Sequence, residues 1–265
     1  MFSLFRKKPN NAFNKSKKHC CVCKEMLSGK IITDTWGNTA HLAHGISFCG
    51  SCDRILSRHS SGGGYQYSDG RFICGYCKKT SVSDDITANR SRRKILDLLE
   101  KCGFQDIPKN IKIVLTHQQH LSSHSRKRNT AGLTLTQFHF SNHKRVGTTH
   151  QIGILSGLPK IEFEAILAHE LLHVWQHERH VKFSPLYAEG LCELGAFALY
   201  STEKSDFSKN KINKMFENKD PIYGNGFRLF YKKLEKLGWK KLLQEILENK
   251  SGYEPSLMKK IFGVK

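Results

Sequence analysis

Ten residues in the middle of the chain carry the sharpest chemical signal. Ile166-Leu167-Ala168-His169-Glu170-Leu171-Leu172-His173-Val174-Trp175 contains His-Glu-x-x-His inside an otherwise apolar run. On an α-helix, residues four apart lie on one face, so His169 and His173 can grip one Zn2+ through their ring nitrogens. Glu170 is rotated by about 100° around the same helix. That turn sets its carboxylate beside the ion's open position, where it can take a proton from water. The apolar residues around the motif imply a buried helix and a rigid site.

A third ligand has to come from elsewhere. Position 179 is Arg and position 176 is Gln, so no histidine follows His173 by six residues. His177 lies on the same stripe but eight residues from His169, a rise of about 12 Å that one ion cannot bridge. His180 can reach only if the helix has ended. The better candidates are carboxylates in Tyr187-Ala188-Glu189-Gly190-Leu191-Cys192-Glu193, where Glu189 and Glu193 share a face one turn apart. In the His-Glu-x-x-His-plus-Glu class one carboxylate binds metal and the residue four on steadies a ligand imidazole. We assign Glu189 as the ligand and Glu193 as the residue behind it; the reverse is the alternative. Hydrolysis also needs a donor for the tetrahedral oxyanion. Tyr223, in a Gly-rich stretch before a helix, could supply it, as could Tyr200 or His150.

A second chemistry precedes this one. Seven of the nine cysteines lie between Cys20 and Cys77. Cys20-x2-Cys23 is followed after seventeen residues by His41-x2-His44, after four more by Cys49-x2-Cys52, and after twenty-one by Cys74-x2-Cys77. Each x2 pair offers two ligands to one tetrahedral ion, and two such knuckles close a four-coordinate shell. The first shell is then Cys20, Cys23, His41 and His44, and the second is Cys49, Cys52, Cys74 and Cys77. Closed shells are structural, so the expected total is three Zn2+ per chain, two structural and one catalytic. Cys21 and His59 read as spectators, and Cys102 and Cys192 as buried, inert thiols.

These groups need elements to hold them. The 265 residues are 38% hydrophobic, enough for a packed core, which excludes global disorder. Periodicity predicts a helix over 86–102, strands over 111–115, 132–138 and 150–155, and helices over 162–177, 186–200, 209–218, 226–237 and 239–249 with a last short one. A helix, a small sheet, then helices indicates an α+β class. The division is a basic arm over 1–18, a two-zinc module over 19–80, a polar linker over 81–85, and a peptidase domain over 86–265. Leu158-Pro159 punctuates the chain before the catalytic helix.

No apolar run approaches the 18 residues of a membrane span, and the basic, Asn/Lys-rich start does not read as a secretory signal. A cytoplasmic protein without membrane contact is expected, which favours zinc over disulfides. The net charge of +20 attracts acidic partners. Its Lys and Arg are spread over the N-terminal arm, 90–94, 126–128 and the C-terminal helices. That spread reads as solvated faces, and a nucleic-acid groove is not favoured.

The order and spacing of the knuckles resemble a LIM domain, with two departures. His44 stands where cysteine is more usual, and the four-residue gap between modules implies a looser hinge. Taken with Gly132-Leu133-Thr134-Leu135, Ile152-Gly153-Ile154-Leu155-Ser156-Gly157-Leu158-Pro159, the His-Glu-x-x-His helix, Glu189-Gly190-Leu191-Cys192 and Tyr223-Gly224-Asn225-Gly226-Phe227-Arg228, the chain resembles the plant LIM peptidase family that limits organ growth (the DA-one family). The resemblance implies a LIM-like module followed by a zincin-type, gluzincin-like domain. It also implies a zinc endopeptidase acting on protein substrates linked to ubiquitin or ubiquitylated proteins. Under it, Ile152, Gly153, Ile154 and Leu155 form a strand beside the cleft that pairs with an extended substrate. The resemblance is also what favours Tyr223 as the oxyanion donor. Two rival readings share the sequence: a nucleic-acid-stimulated metalloprotease acting on DNA-bound proteins, and a non-catalytic LIM scaffold.

Overall fold

Short ladders come first in the computed structural model, which describes residues 19–124 and 130–249. The basic arm, the 126–128 cluster and the last short helix lie outside the described residues. β1 (Ile31–Thr33) pairs antiparallel with β2 (Thr39–His41), and β3 (Gly64–Gln66) with β4 (Phe72–Cys74), which runs into α1 (Gly75–Lys79). Three-residue strands are too short to stand alone. A buried carboxylate helps hold them: Asp34 accepts from the backbone N–H groups of Trp36, Asn38 and Ile55, each at 2.9 Å. Trp36 Nε1 also donates to Cys52 O at 2.6 Å. The two halves of the cysteine-rich region are thereby stitched together, and the expected loose hinge is not found.

β5 (Ser81–Val82) leads into α2 (Asp85–Cys102), β6 (Lys112–Thr116), α3 (Gln118–His124), β7 (Gly132–Ser141), β8 (Lys144–Leu155) and β9 (Leu158–Pro159). Four helices follow: α4 (Lys160–Glu178), α5 (Pro185–Thr202), α6 (Asp206–Glu217) and α7 (Tyr223–Glu248). The architecture is mixed α and β, with small sheets and several helices. Asp84 caps α2, accepting from Thr87 N at 2.8 Å, the usual service of an N-cap carboxylate. α7 kinks at Gly238, whose φ of 69° is not helical, where the sequence reading places a break between two helices.

The linker expected over 81–85 is instead docked. β5 pairs with β9, Val82 is fully buried, and Lys160 N donates to Thr80 O at 2.9 Å. Tyr67 Oη and Arg71 Nη2 add hydrogen bonds to Gly157 O (3.0 Å) and Ser156 O (2.9 Å).

A second correction concerns the sheet, whose order is β6-β8-β7, with β8 parallel to β6 and antiparallel to β7. Ile152, Gly153, Ile154 and Leu155 therefore sit in the central strand, with neighbours on both edges. Ile152 pairs with both Ile113 and Thr134, so no edge of β8 is left there for a substrate. Among the described residues, the sheet edge beside the His-Glu-x-x-His helix is β7. β8 is also longer than the sequence suggests, because Asn142 and His143, at φ 48° and 60°, close a two-residue hairpin. Positive φ at both turn residues matches the strand twist that such hairpins need.

The core gathers around α4. Phe163, Leu167, Leu171, Leu172, Val174 and Trp175 are each at most 1% exposed, each burial stabilising by about 1.5–3 kcal/mol. Glu164, also buried, accepts from Ser91 Oγ (3.1 Å) and Lys94 Nζ (2.7 Å) and so ties α4 to α2. Among the described residues, no helix is long and apolar enough to cross a membrane.

Candidate metal centre

α4 and α5 bring the predicted donors together. His169 Nε2 lies 3.2 Å and His173 Nε2 lies 3.6 Å from the same atom, Glu189 Oε2. That oxygen is buried and, among the described residues, accepts no hydrogen bond of good geometry. With Zn–N and Zn–O bonds near 2.0–2.2 Å, the edges of a tetrahedral shell are about 3.3–3.6 Å. Both histidine–carboxylate separations match the edges that such a shell would have.

The metal-free electrostatics follow from the same contacts. Burial pulls the His169 ring down, but Glu189 and Glu193 outweigh it and hold its pKa up to about 10. Burial likewise opposes ionisation of Glu189, yet His169 and His173 keep its carboxyl well below the usual carboxylate range.

The outer ring nitrogens have different partners. Glu193 Oε1 is 3.2 Å from His169 Nδ1, while Cys192 Sγ is 3.4 Å from His173 Nδ1 and accepts from Gln176 Nε2 at 3.2 Å. His169, His173 and Cys192 could also group around an ion. However, Cys192 meets the ring nitrogen opposite the one that approaches Glu189, which makes Glu189 the better third donor. Cys192 is buried as expected, but its place against a candidate ligand was not legible from spacing.

Glu170 is 6% exposed. Thr134, on β7, donates to its Oε2 at 2.7 Å and lies 3.0 Å from its backbone O. Sequence reasoning missed this contact, because the pairing of β7 with α4 spans 36 residues. Gly132 is required for the same approach: a Cβ there would lie 2.5 Å from Ile166 Cγ2 and 2.7 Å from Glu170 Oε1.

Tyr223 begins α7 and lies nearly parallel to His169, ring centroids 6.3 Å apart and planes at 12°. Burial, then Glu189, raise its phenol pKa. Its place depends on Gly190 and Gly226, where α5 and α7 touch through main chain; a Cβ on Gly190 would stand 2.5 Å from Gly226 C. Tyr223 and Tyr200 both line a cavity of about 670 Å3 with His169, Glu170 and Glu193. His150 is turned elsewhere, towards Glu178 (2.7 Å) and Thr136 (3.0 Å). His177 and His180 are exposed near the end of α4.

The two cysteine-rich sets also converge, and each could hold a metal ion. Cys52 Sγ and Cys74 Sγ are 3.7 Å apart, against about 3.8 Å for the edge of a tetrahedron with 2.3 Å Zn–S bonds. Cys49, Cys52, Cys74 and Cys77 are all buried, and Cys74 N donates to Cys49 Sγ at 3.3 Å. In the other set, His41 Nδ1 lies 3.5 Å from Cys23 Sγ and 3.4 Å from His44 Nε2. Its Nε2 lies 3.1 Å from Met26 O and 3.2 Å from Ser28 N. Asp53, next to Cys52, pairs with Lys214 on α6, and α6 is a wall of the cavity.

A family model for the DA1-like domain, described as Protein DA1, matches residues 91–211. These residues are similar to the DA1-like family. This DA1-like stretch holds Thr134, Glu170, both histidines, Glu189, Cys192 and Glu193; Tyr223 and both cysteine-rich sets lie beyond it. The chain is similar to Protein DA1-related 6 of Arabidopsis thaliana, 23% identical over 317 residues that cover 90% of this chain and 48% of that protein. It is similar to Protein DA1 of the same plant, 23% identical with coverage of 75% and 48%. A third, Protein DA1-related 2, is also 23% identical, with coverage of 75% and 49%. The chain thus spans about half the length of the curated relatives it matches. No solved structure matches it significantly.

Proposed function

We propose that the chain is a zinc-dependent endopeptidase, with a LIM-like two-zinc module over 19–80 and a zincin-type, gluzincin-like domain over 86–265. The observation that carries this reading is the meeting of His169 Nε2, His173 Nε2 and Glu189 Oε2 beside a buried Glu170. When bound there, zinc supplies Lewis acidity that polarises a carbonyl and lowers the pKa of water.

The chain's own groups do the rest. Glu170 takes the proton of the attacking water and passes it to the leaving amine. Thr134 keeps that carboxylate aimed by donating to Oε2. Tyr223 offers a phenolic donor to the oxyanion from the far wall of the cavity. Glu193 and Cys192 fix the two imidazoles from behind. The edge strand β7, in place of β8, aligns an extended segment of substrate by backbone pairing. Cys20, Cys23, His41 and His44, and Cys49, Cys52, Cys74 and Cys77, hold the structural ions, making three in all.

The substrate class implied by the family resemblance is proteins linked to ubiquitin. Incubating the zinc-loaded chain with ubiquitin, ubiquitin conjugates and unmodified proteins, then reading fragments by mass spectrometry, tests both parts. Fragments should appear with the parent and vanish with Glu170→Gln. A parent chain that holds zinc and cuts none of these proteins ends the reading.

A further inference from the structure

We propose that the distal half of the β7–β8 hairpin selects substrates, taking apolar side chains about four to six residues N-terminal to the scissile bond. The inference rests on the endopeptidase reading and adds a sequence preference to it.

Geometry carries the argument. β7 is the edge of its sheet, and Thr134 fixes the register by touching Glu170. Alternate residues of a strand share a face, so Thr134, Thr136, Phe138 and Phe140 all lie on the side that faces α4. The register shift near the tip leaves its extra residue, Val146, on β8, so the alternation of β7 is undisturbed.

α4 reaches only as far as Glu178, which meets His150, the partner of Thr136 in the ladder. Phe138 and Phe140 continue past that point. They are 43% and 65% exposed, and Val146 is 64% exposed. The same sheet buries Ile152 and Ile154 completely, so the apolar face changes from core to surface along one strand. Aromatic side chains on a solvent-facing edge strand invite pairing with another chain.

The occupant that fits is the extended segment already entering the cleft. At about 3.4 Å per residue, Phe138 and Phe140 lie about 14 and 20 Å from Thr134 along β7. Antiparallel addition is the commoner mode of pairing. It runs the substrate against β7, so the residues reaching the hairpin precede the scissile bond. Side chains directly across an antiparallel ladder are in contact, and aromatic rings favour apolar partners there.

The test digests a library of long peptides with the zinc-loaded parent and with a Phe138→Ser/Phe140→Ser chain. Both side chains are exposed, so the variant should fold and keep its zinc. The parent's cleavage sites should be enriched in apolar residues four to six positions before the cut. The variant should lose that enrichment, with KM about fivefold higher for such peptides and kcat unchanged. The penalty should disappear for peptides trimmed to three residues before the cut. No enrichment, enrichment that survives in the variant, or enrichment after the cut overturns the proposal. Binding of the same library to Glu170→Gln, with and without the two serines, reads the preference without chemistry. A hairpin-dependent apolar preference in binding without any cleavage by the parent would sink the peptidase reading and leave this surface standing; no preference in either assay overturns the surface.

Discussion

Cys192 Sγ stands 3.4 Å from Nδ1 of His173, on the far side of the ring from Glu189 Oε2. The two imidazoles that face the candidate ion are therefore backed unequally, one by the carboxylate of Glu193 and the other by a thiol that also accepts from Gln176. A charged partner orients a ring and raises its basicity more than a neutral sulfur does. Cys192→Ala should weaken zinc binding at this centre by about tenfold, near the low end of the range for such outer partners. Competition against a chelator measures it, and an unchanged affinity would make Cys192 a packing residue only.

Glu189 and Glu193 lie one turn apart on α5 but approach opposite nitrogens of His169. Glu189→Ala removes an anionic donor from a three-donor set, so the centre should lose its zinc. Glu193→Ala should still load stoichiometric zinc, with affinity or activity down about 10–100-fold. Tighter binding by Glu189→Ala than by Glu193→Ala would exchange the two roles.

Glu170→Gln should keep zinc and lose about 10²–10⁴-fold in rate, the usual range for a general base. Thr134→Val removes the 2.7 Å hydrogen bond to the same carboxylate and almost no volume. We expect kcat to fall about tenfold, about 1.4 kcal/mol, near the upper end for the net worth of one hydrogen bond. Zinc content and KM should hold. Full activity in Thr134→Val means that the hydroxyl does not aim the base.

Zinc uptake should release a proton. His169, with a pKa of about 10 in the metal-free site, is protonated at pH 7 and must be neutral to bind metal. Apparent affinity should therefore rise about tenfold per pH unit as pH approaches 10, then level off. In the metal-free protein the same raised pKa stabilises the fold fully below pH 6.5, the ordinary value for the ring, and that stabilisation is lost as pH rises through about 10. Calorimetric titration of zinc in buffers of different protonation enthalpy reads the proton directly. A heat independent of buffer contradicts the expectation.

What could be read from the chain before its structure was local. The His-Glu-x-x-His pattern and the four knuckles are legible because their spacing is short and the helix or turn between the residues is nearly fixed. The apolar stripe of α4 announces its own burial. Contacts across long separations leave no such mark. Thr134 on Glu170 and Ser57 Oγ on Cys21 O each join segments 36 residues apart. The central position of β8 depends on β6, whose five residues carry no hint of which neighbour they choose. Lys144-Arg145-Val146-Gly147 lacks the pattern of a strand and becomes one only because the turn at Asn142 and His143 folds it onto β7.

At Gly190 and Gly226, α5 and α7 meet with no side chain between them. Elsewhere in the core a lost methyl group at one position can be restored by a gained one across the seam, and the spacing survives by exchange. Here there is nothing to exchange, and the separation is set by the radii of backbone atoms. The surrounding core can therefore drift in composition while Tyr223 stays over His169. A single methyl on either glycine would part the phenol from the histidines in one step, with no second substitution at the seam able to bring them back.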